Sequence, residues 1–94
     1  MEVTRGKAIS LEYPFTGIMG DIKVTGNCRS RDGELSSIEA GQVIDVPQNR
    51  QLAQFTMNGG NIPTEFYDFG RIVEAATAQK EFIDAVKEQF AAEQ

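Results

Sequence analysis

The apolar residues of this chain change their spacing once, close to residue 58, and that change limits the folds it can adopt. Before this point they recur at every second position, as Ala53, Phe55 and Met57 do, which is typical of a strand with one buried face. From Arg71 onward the chain contains neither proline nor glycine, and apolar residues recur three, four and seven positions apart. The sequence therefore predicts a sheet followed by one helix of about six turns. The residues of the predicted apolar stripe are Phe69, Ile72, Ala76, Ile83, Val86 and Phe90.

Short turn motifs divide the first part of the chain into strands. Asp32-Gly33 favours a tight hairpin because both residues tolerate a positive φ, and Ala40-Gly41 predicts a further break. Strands this close in sequence pair most simply as an antiparallel meander. We therefore predict the α+β class, with a four- or five-stranded antiparallel sheet (a meander) and one long C-terminal helix packed across it.

The 94 residues are predicted to form a single domain, because a chain of this length builds one core. Residues 1–57 are predicted to be β-rich, residues 58–63 to form a glycine-rich connection and residues 64–94 to be helical. Pro63 suits the first turn of that helix, and Gly70 predicts a break shortly after it.

Two alternating segments predict the first strands. Ile9, Leu11, Tyr13 and Phe15 occupy every second position, which predicts four apolar side chains on one buried face. Residues 22–28 alternate in the same way and place the lone cysteine of the chain among apolar neighbours. We expect that cysteine to be a small buried core residue rather than a reactive thiol.

The residue types that most enzymes use are scarce in this chain. Histidine is absent, so the commonest proton carrier near neutral pH and the commonest transition-metal ligand are both missing. Cys28 is the one thiol, which excludes a zinc site built from several cysteines and an intrachain disulfide. We predict that the protein is not an enzyme, and that it has no catalytic residues, no cofactor and no metal site.

The charge of the chain is acidic and unevenly distributed. Nine basic and fourteen acidic residues give a net charge of −5; the first 31 residues carry five basic and three acidic residues, and the rest of the chain carries four and eleven. Direct nucleic-acid binding through Lys23, Arg29 and Arg31 is therefore disfavoured, and Tyr13 and Phe15 are predicted to be core residues rather than stacking rings. The sequence has no apolar run of the ~20 residues that a membrane span requires. A cytoplasmic location is predicted, in the host cytoplasm if the protein is virus-encoded.

Asn58, Gly59, Gly60 and Asn61 form the candidate ligand site. Glycines allow backbone N–H groups to converge, and the N-terminus of a following helix attracts phosphate groups. A small nucleotide-binding module is the function that this motif suggests. The simpler interpretation is a flexible connection between a strand and a helix.

The outer side of the predicted helix carries the candidate protein-binding residues Glu74, Glu81, Asp84 and Glu88. Three of them are seven residues apart, which places them along one side of the helix. An acidic face of this kind fits a protein partner with a basic surface. We therefore predict a non-catalytic acidic protein-binding module. Small virus-encoded inhibitors of nucleic-acid-handling complexes, such as anti-CRISPR proteins, have the same general size and charge, which is an analogy of type and not a family resemblance.

Self-association is the alternative function from a different class. A homo-oligomeric structural or assembly subunit would form a homodimer through the C-terminal helix or through a sheet edge. Gln79 interrupts the apolar seam that paired helices would need.

Overall fold

The computed structural model describes residues 1–9 and 11–93 and has the predicted α+β architecture. Six strands form one antiparallel sheet in sequence order, and a single helix packs against one face of it. This is a meander, as predicted, with six strands instead of four or five. The elements are β1 (Val3–Arg5), β2 (Tyr13–Met19), β3 (Ile22–Arg31), β4 (Glu34–Asp45), β5 (Arg50–Asn58), β6 (Thr64–Phe66), a 3-10 turn (Phe69–Arg71) and α1 (Ile72–Ala92).

The two additional strands are the edges of the sheet. Both β1 and β6 have three residues, which is too short for an alternating pattern to show in the sequence. The formation of β6 also corrects the start of the predicted helical segment 64–94, because residues 64–66 pair with β5 instead. Ser10, inside the predicted first strand, and Gln94, at the end of the predicted helix, lie outside the described residues.

The helical part begins at a 3-10 turn that Asp68 caps. Its carboxylate accepts a hydrogen bond from the backbone N–H of Gly70 at 3.1 Å. The α-helix follows from Ile72, so the break predicted at Gly70 is present, whereas Pro63 does not lie in a helix. A 3-10 helix has three residues per turn, whereas an α-helix has 3.6. This difference rotates Phe69 away from the face that α1 buries.

The buried face of α1 differs from the predicted stripe. Phe82, which the spacing places beside the stripe, is fully buried and lies 6.4 Å from the Phe55 ring in an edge-to-face contact. Phe69 and Ala76, which the spacing places within it, are exposed. The residues of α1 that are buried against the sheet are Ala75, Ala78, Gln79, Phe82, Ile83, Val86 and Phe90.

The segment before β2 does not continue the strand. Ile9 and Glu12 exchange backbone hydrogen bonds of 2.8 and 3.1 Å as an antiparallel bridge in the connection between β1 and β2. Ile9 and Leu11 are consequently exposed, which corrects the prediction of four buried residues on one face. Phe15 is buried in the core and Tyr13 packs at its margin, as predicted for those two residues.

The hairpin between β3 and β4 forms at Asp32-Gly33 with positive φ angles of 55° and 81°, as the sequence predicts. The predicted break at Ala40-Gly41 is instead a bulge inside one continuous strand. Ala40 has a φ of 54°, and the pairing of β4 with β5 shifts register between Ile38 and Gly41.

The face of the sheet opposite α1 is polar. One row of paired residues crosses all six strands on this face, because each member alternates with residues that point to the core. An antiparallel sheet with one polar face needs no second covering layer. The row consists of Thr4, Thr16, Thr25, Gln42, Gln54 and Glu65.

Candidate functional site

Glu74, the first of the predicted protein-binding residues, is held by a cation of its own chain. The Arg71 guanidinium donates to both carboxylate oxygens of Glu74, at 2.8 and 3.0 Å. This hydrogen bonding lowers the pKa of Glu74 below its usual range. Arg71 also donates to Asp45 at the end of β4, so one guanidinium bridges two carboxylates.

The remaining predicted residues lie along the same side of α1. Asp84 pairs with Lys80 at 2.6 Å, and Glu81 lies 3.8 Å from the ammonium group of Met1. Glu88 lines a shallow groove between α1 and β1 and forms no ion pair with another described residue. The structure therefore gathers the acidic side chains, but three of the four already have a cationic neighbour. Their role in protein binding stays a prediction.

The Asp45–Arg71 pair joins the end of β4 to the start of α1. The side chain of Asp45 is only 6% exposed, and its carboxylate also accepts a hydrogen bond from the backbone N–H of Gln48 at 3.1 Å. The hydrogen bond from Arg71 lowers the pKa of Asp45, and the bond from Gln48 acts in the same direction.

Asp45→Asn is expected to lower the free energy of unfolding at neutral pH and to lower it less at acidic pH. Because the folded state lowers the pKa of Asp45, the stability that this carboxylate contributes is present above the ordinary value of about 4 and is lost as the pH falls through the folded value. Urea unfolding should show a smaller difference in the free energy of unfolding between wild type and Asp45→Asn at about pH 3 than at about pH 7. Asp84→Asn, which breaks an exposed pair, is the control. An unchanged difference would contradict this role for Asp45.

Two large apolar side chains project from the beginning of the helical part. Phe69 is 90% exposed and Val73 is 80% exposed, and they are four residues apart. Phe69 belongs to the predicted apolar stripe, whereas Val73 does not. The signal that identifies Phe69 as exposed is the adjacent Gly70, because the change of helical geometry there alters which residues share a face.

The Asn58–Asn61 segment is a hairpin loop rather than the entrance to a helix. The backbone groups of Asn58 and Asn61 bond each other at 2.9 and 3.1 Å, and Gly59 takes a φ of 61° in the two-residue loop between them. The helix N-terminus that motivated an anion site here therefore lies elsewhere in the fold. Asn58 and Gly59 line two different cavities.

Cys28, Tyr13 and Phe15 belong to the core region, as predicted. Cys28 is fully buried, and burial raises the pKa of its thiol to about 12, so the thiol is protonated at neutral pH. The rings of Tyr13 and Phe15 lie 6.3 and 5.3 Å from that of Phe90 in edge-to-face contacts; Phe15 is fully buried, and Tyr13 is partly buried.

Within residues 1–9 and 11–93, no group of three or more cysteine or acidic side chains is placed to hold a metal ion. In the same part of the chain, no helix combines the length and the apolar character needed to cross a bilayer. Comparisons with known protein families, curated proteins and solved structures gave no match.

Proposed function

We propose that this chain is a non-catalytic protein-binding module whose contact surface is the outer side of α1. Phe69 and Val73 form the apolar anchor of that surface, and the acidic residues of α1 extend it along the helix. The observation that carries the proposal is the exposure of Phe69, 90%, in a domain that buries its other large aromatic side chains wholly or in part, apart from Tyr67.

Phe69 and Val73 do not contribute the free energy that burial of their side chains would add to the stability of the fold. Full burial of a phenylalanine or valine side chain is worth about 1.5–3 kcal/mol. Aromatic side chains at the centre of an interface are also the residues whose truncation most often weakens binding. Two exposed apolar side chains four residues apart are thus suited to fill a pocket of another protein.

Charge identifies the kind of partner. Residues 64–94 carry seven acidic and three basic side chains, a net charge of −4. A second copy of the same surface would bring an equal negative charge, whereas a basic surface would be attracted. The partner that we propose is therefore a protein with an apolar pocket bordered by lysine or arginine.

The Phe69→Ala/Val73→Ala double variant tests this proposal. Tagged wild-type protein is used to capture partners from a bacterial lysate at low and moderate salt, and binding of the purified partner is then measured directly. We expect the double variant to weaken that binding by about tenfold or more, because the anchor is lost. The matched control is Ile18→Ala, which removes an exposed apolar side chain from the polar face of the sheet.

Charge reversal provides an independent measurement on the same complex. Glu81→Lys/Asp84→Lys/Glu88→Lys is expected to slow association and to reduce the salt dependence of binding. Because the change at Asp84 also places a second lysine beside Lys80, we expect a small decrease in the unfolding midpoint but a folded protein. Equal affinity of wild type and the Phe69/Val73 variant would overturn the proposed surface. Recovery of only copies of the chain itself, with a dimeric mass, would favour the self-assembly alternative.

The finer hypothesis is a virus-encoded, anti-CRISPR-like inhibitor of a nucleic-acid-handling complex in the host cytoplasm. Two features support it. The protein is small, and the acidic surface of its helix resembles in charge the nucleic acid that such a complex holds. If this is the function, nucleic acid and the chain should compete for the captured partner. Simultaneous binding of both would contradict it.

The structure offers little support for the self-assembly alternative. The edge strands β1 and β6 have three residues each, so either edge presents few free backbone groups to another copy. Gln79, which would interrupt a seam between paired helices, is buried against its own sheet and donates to the Thr64 hydroxyl at 3.0 Å.

A further inference from the structure

A polar cavity of about 530 Å³ opens at the end of the sheet where β3 ends and β4 begins. The end of β5 and the start of β2 contribute the remaining walls. Because neighbouring strands run in opposite directions, residues far apart in sequence meet at this end. The polar residues that line the cavity are Arg29, Ser30, Arg31, Ser36, Ser37 and Asn58.

The strand register shows how the floor of this cavity is built. Arg29 pairs with Ser37, and Ser37 pairs with Asn58, so the three form a row across β3, β4 and β5. The residues next to them in sequence, Cys28, Ile38 and Met57, are buried in the core. Since successive residues of a strand point to opposite faces, the row faces away from α1.

The cavity is basic although the chain is acidic. Two arginines line it, and no acidic residue does. Arg31 forms no ion pair with another described residue, whereas Arg29 is 3.3 Å from a carboxylate oxygen of Glu12, just outside the lining. A net charge of −5 on the whole chain would repel an anion, so a cavity with two arginines is a local exception.

Hydroxyl and amide groups complete a set of hydrogen-bond donors. The Ser36 hydroxyl donates to the Arg29 carbonyl at 3.0 Å, and the hydroxyls of Ser30 and Ser37 are not bonded to another described residue. Arginine forks with neighbouring hydroxyl groups are the arrangement that binds phosphate oxygens in many proteins. Leu11, which is exposed, supplies an apolar wall on one side.

We propose that this cavity binds a small phosphate-bearing ligand, such as a nucleotide, through Arg29 and Arg31. Its volume falls within the range of about 300–1,000 Å³ that small-molecule sites occupy, which is more than a single phosphate ion needs. The hydroxyls of Ser30 and Ser37 and the Asn58 amide donate further hydrogen bonds, and Leu11 contacts the uncharged part of the ligand. Glu12 competes with the ligand for Arg29.

Calorimetric titration with ADP at low salt tests the site. We expect the wild type to bind ADP, Arg31→Ala to bind it about tenfold more weakly or worse, and Glu12→Gln to bind it more tightly because Arg29 is released. Lys23→Ala is the matched control, since Lys23 is a basic residue on β3 whose loss leaves the cavity lining intact. An unchanged unfolding midpoint shows that each variant is folded.

Three further titrations separate the ligand classes. Adenosine, which lacks phosphate, should not bind, and pyrophosphate should compete with ADP. If no phosphate compound binds in the millimolar range, or if Arg31→Ala binds ADP as the wild type does, the proposal is overturned. A single-stranded oligonucleotide that binds more tightly than ADP and also requires Lys23 would overturn the small-ligand assignment.

The site is independent of the protein-binding surface. Phe69 and Val73 lie at the start of the helical part, and neither lines the cavity. The Phe69→Ala/Val73→Ala variant should therefore retain ADP binding, so the two proposals fail or succeed separately.

Discussion

Phe82→Ala is expected to lower the free energy of unfolding by about 3–5 kcal/mol, which is a large part of the stability of a domain of this size. Phe82 has no exposed surface and packs edge-to-face with Phe55, so its removal leaves a cavity between α1 and the sheet. The cavity forms at the layer boundary, where α1 contacts β3, β4 and β5. Urea unfolding followed by circular dichroism measures the effect.

The same chemical change at Phe69 is the matched control. Phe69→Ala removes an identical side chain that is 90% exposed, and we expect it to change the free energy of unfolding by less than about 0.5 kcal/mol. Similar destabilisation by the two variants would contradict the orientation of α1 described above. The comparison is informative because the sequence spacing alone assigned Phe69 to the buried stripe and Phe82 beside it.

Gly41→Ala is expected to destabilise the protein by about 3 kcal/mol through overpacking. A Cβ atom at this position would lie 2.6 Å from the Phe55 carbonyl oxygen and 2.7 Å from the Phe55 ring. The backbone oxygen belongs to the neighbouring strand and cannot move away without disturbing the pairing of β4 with β5. Thermal unfolding of the variant should show a clearly lower midpoint.

Gly60→Ala is the control for this substitution. A Cβ atom at Gly60 would have no neighbour within 4 Å, and Gly60 does not have the positive φ of Gly59. We therefore expect a change within about 0.5 kcal/mol. Equal effects at the two glycines would show that the close approach of β4 to β5 at Gly41 is absent in solution.

Much of the fold follows from local patterns. The alternation of Ile22, Val24 and Cys28 predicts the buried face of β3, and the residue types at Asp32-Gly33 predict the hairpin that follows. These succeed because strand alternation and turn geometry depend on neighbouring residues. The α+β class, which the structure confirms, follows from the change in the spacing of apolar residues near residue 58.

Other features depend on contacts that the sequence does not display. Ile9 and Leu11 alternate as strand residues do, but Ile9 bridges to Glu12 in the connection between β1 and β2, and both apolar side chains are exposed. Ala40 and Gly41 predict the end of a strand. Pairing with β3 on one side and β5 on the other keeps β4 continuous, and the irregularity at Ala40 becomes a bulge. Pairing with the neighbouring strands overrides local preference at Ala40.

The candidate surfaces show the same division. The seven-residue spacing of Glu74, Glu81 and Glu88 predicts one side of a helix, but it cannot reveal that Arg71 bridges Glu74 to Asp45. The basic cavity cannot be predicted from the spacing of residues, because the row that forms its floor depends on the registers of two strand pairs. A site assembled by register becomes visible only when the fold is known.

The order of the elements has a consequence for synthesis of the protein. All six strands precede α1 in the chain, so the apolar face of the sheet emerges from the ribosome before the helix that covers it. Until α1 has been made, side chains such as Phe15, Ile38 and Phe55 lack the helix that covers them on that face. A nascent chain with an exposed apolar sheet is prone to aggregate or to bind chaperones. Folding of this protein should therefore be completed late, when α1 has left the ribosome and docked.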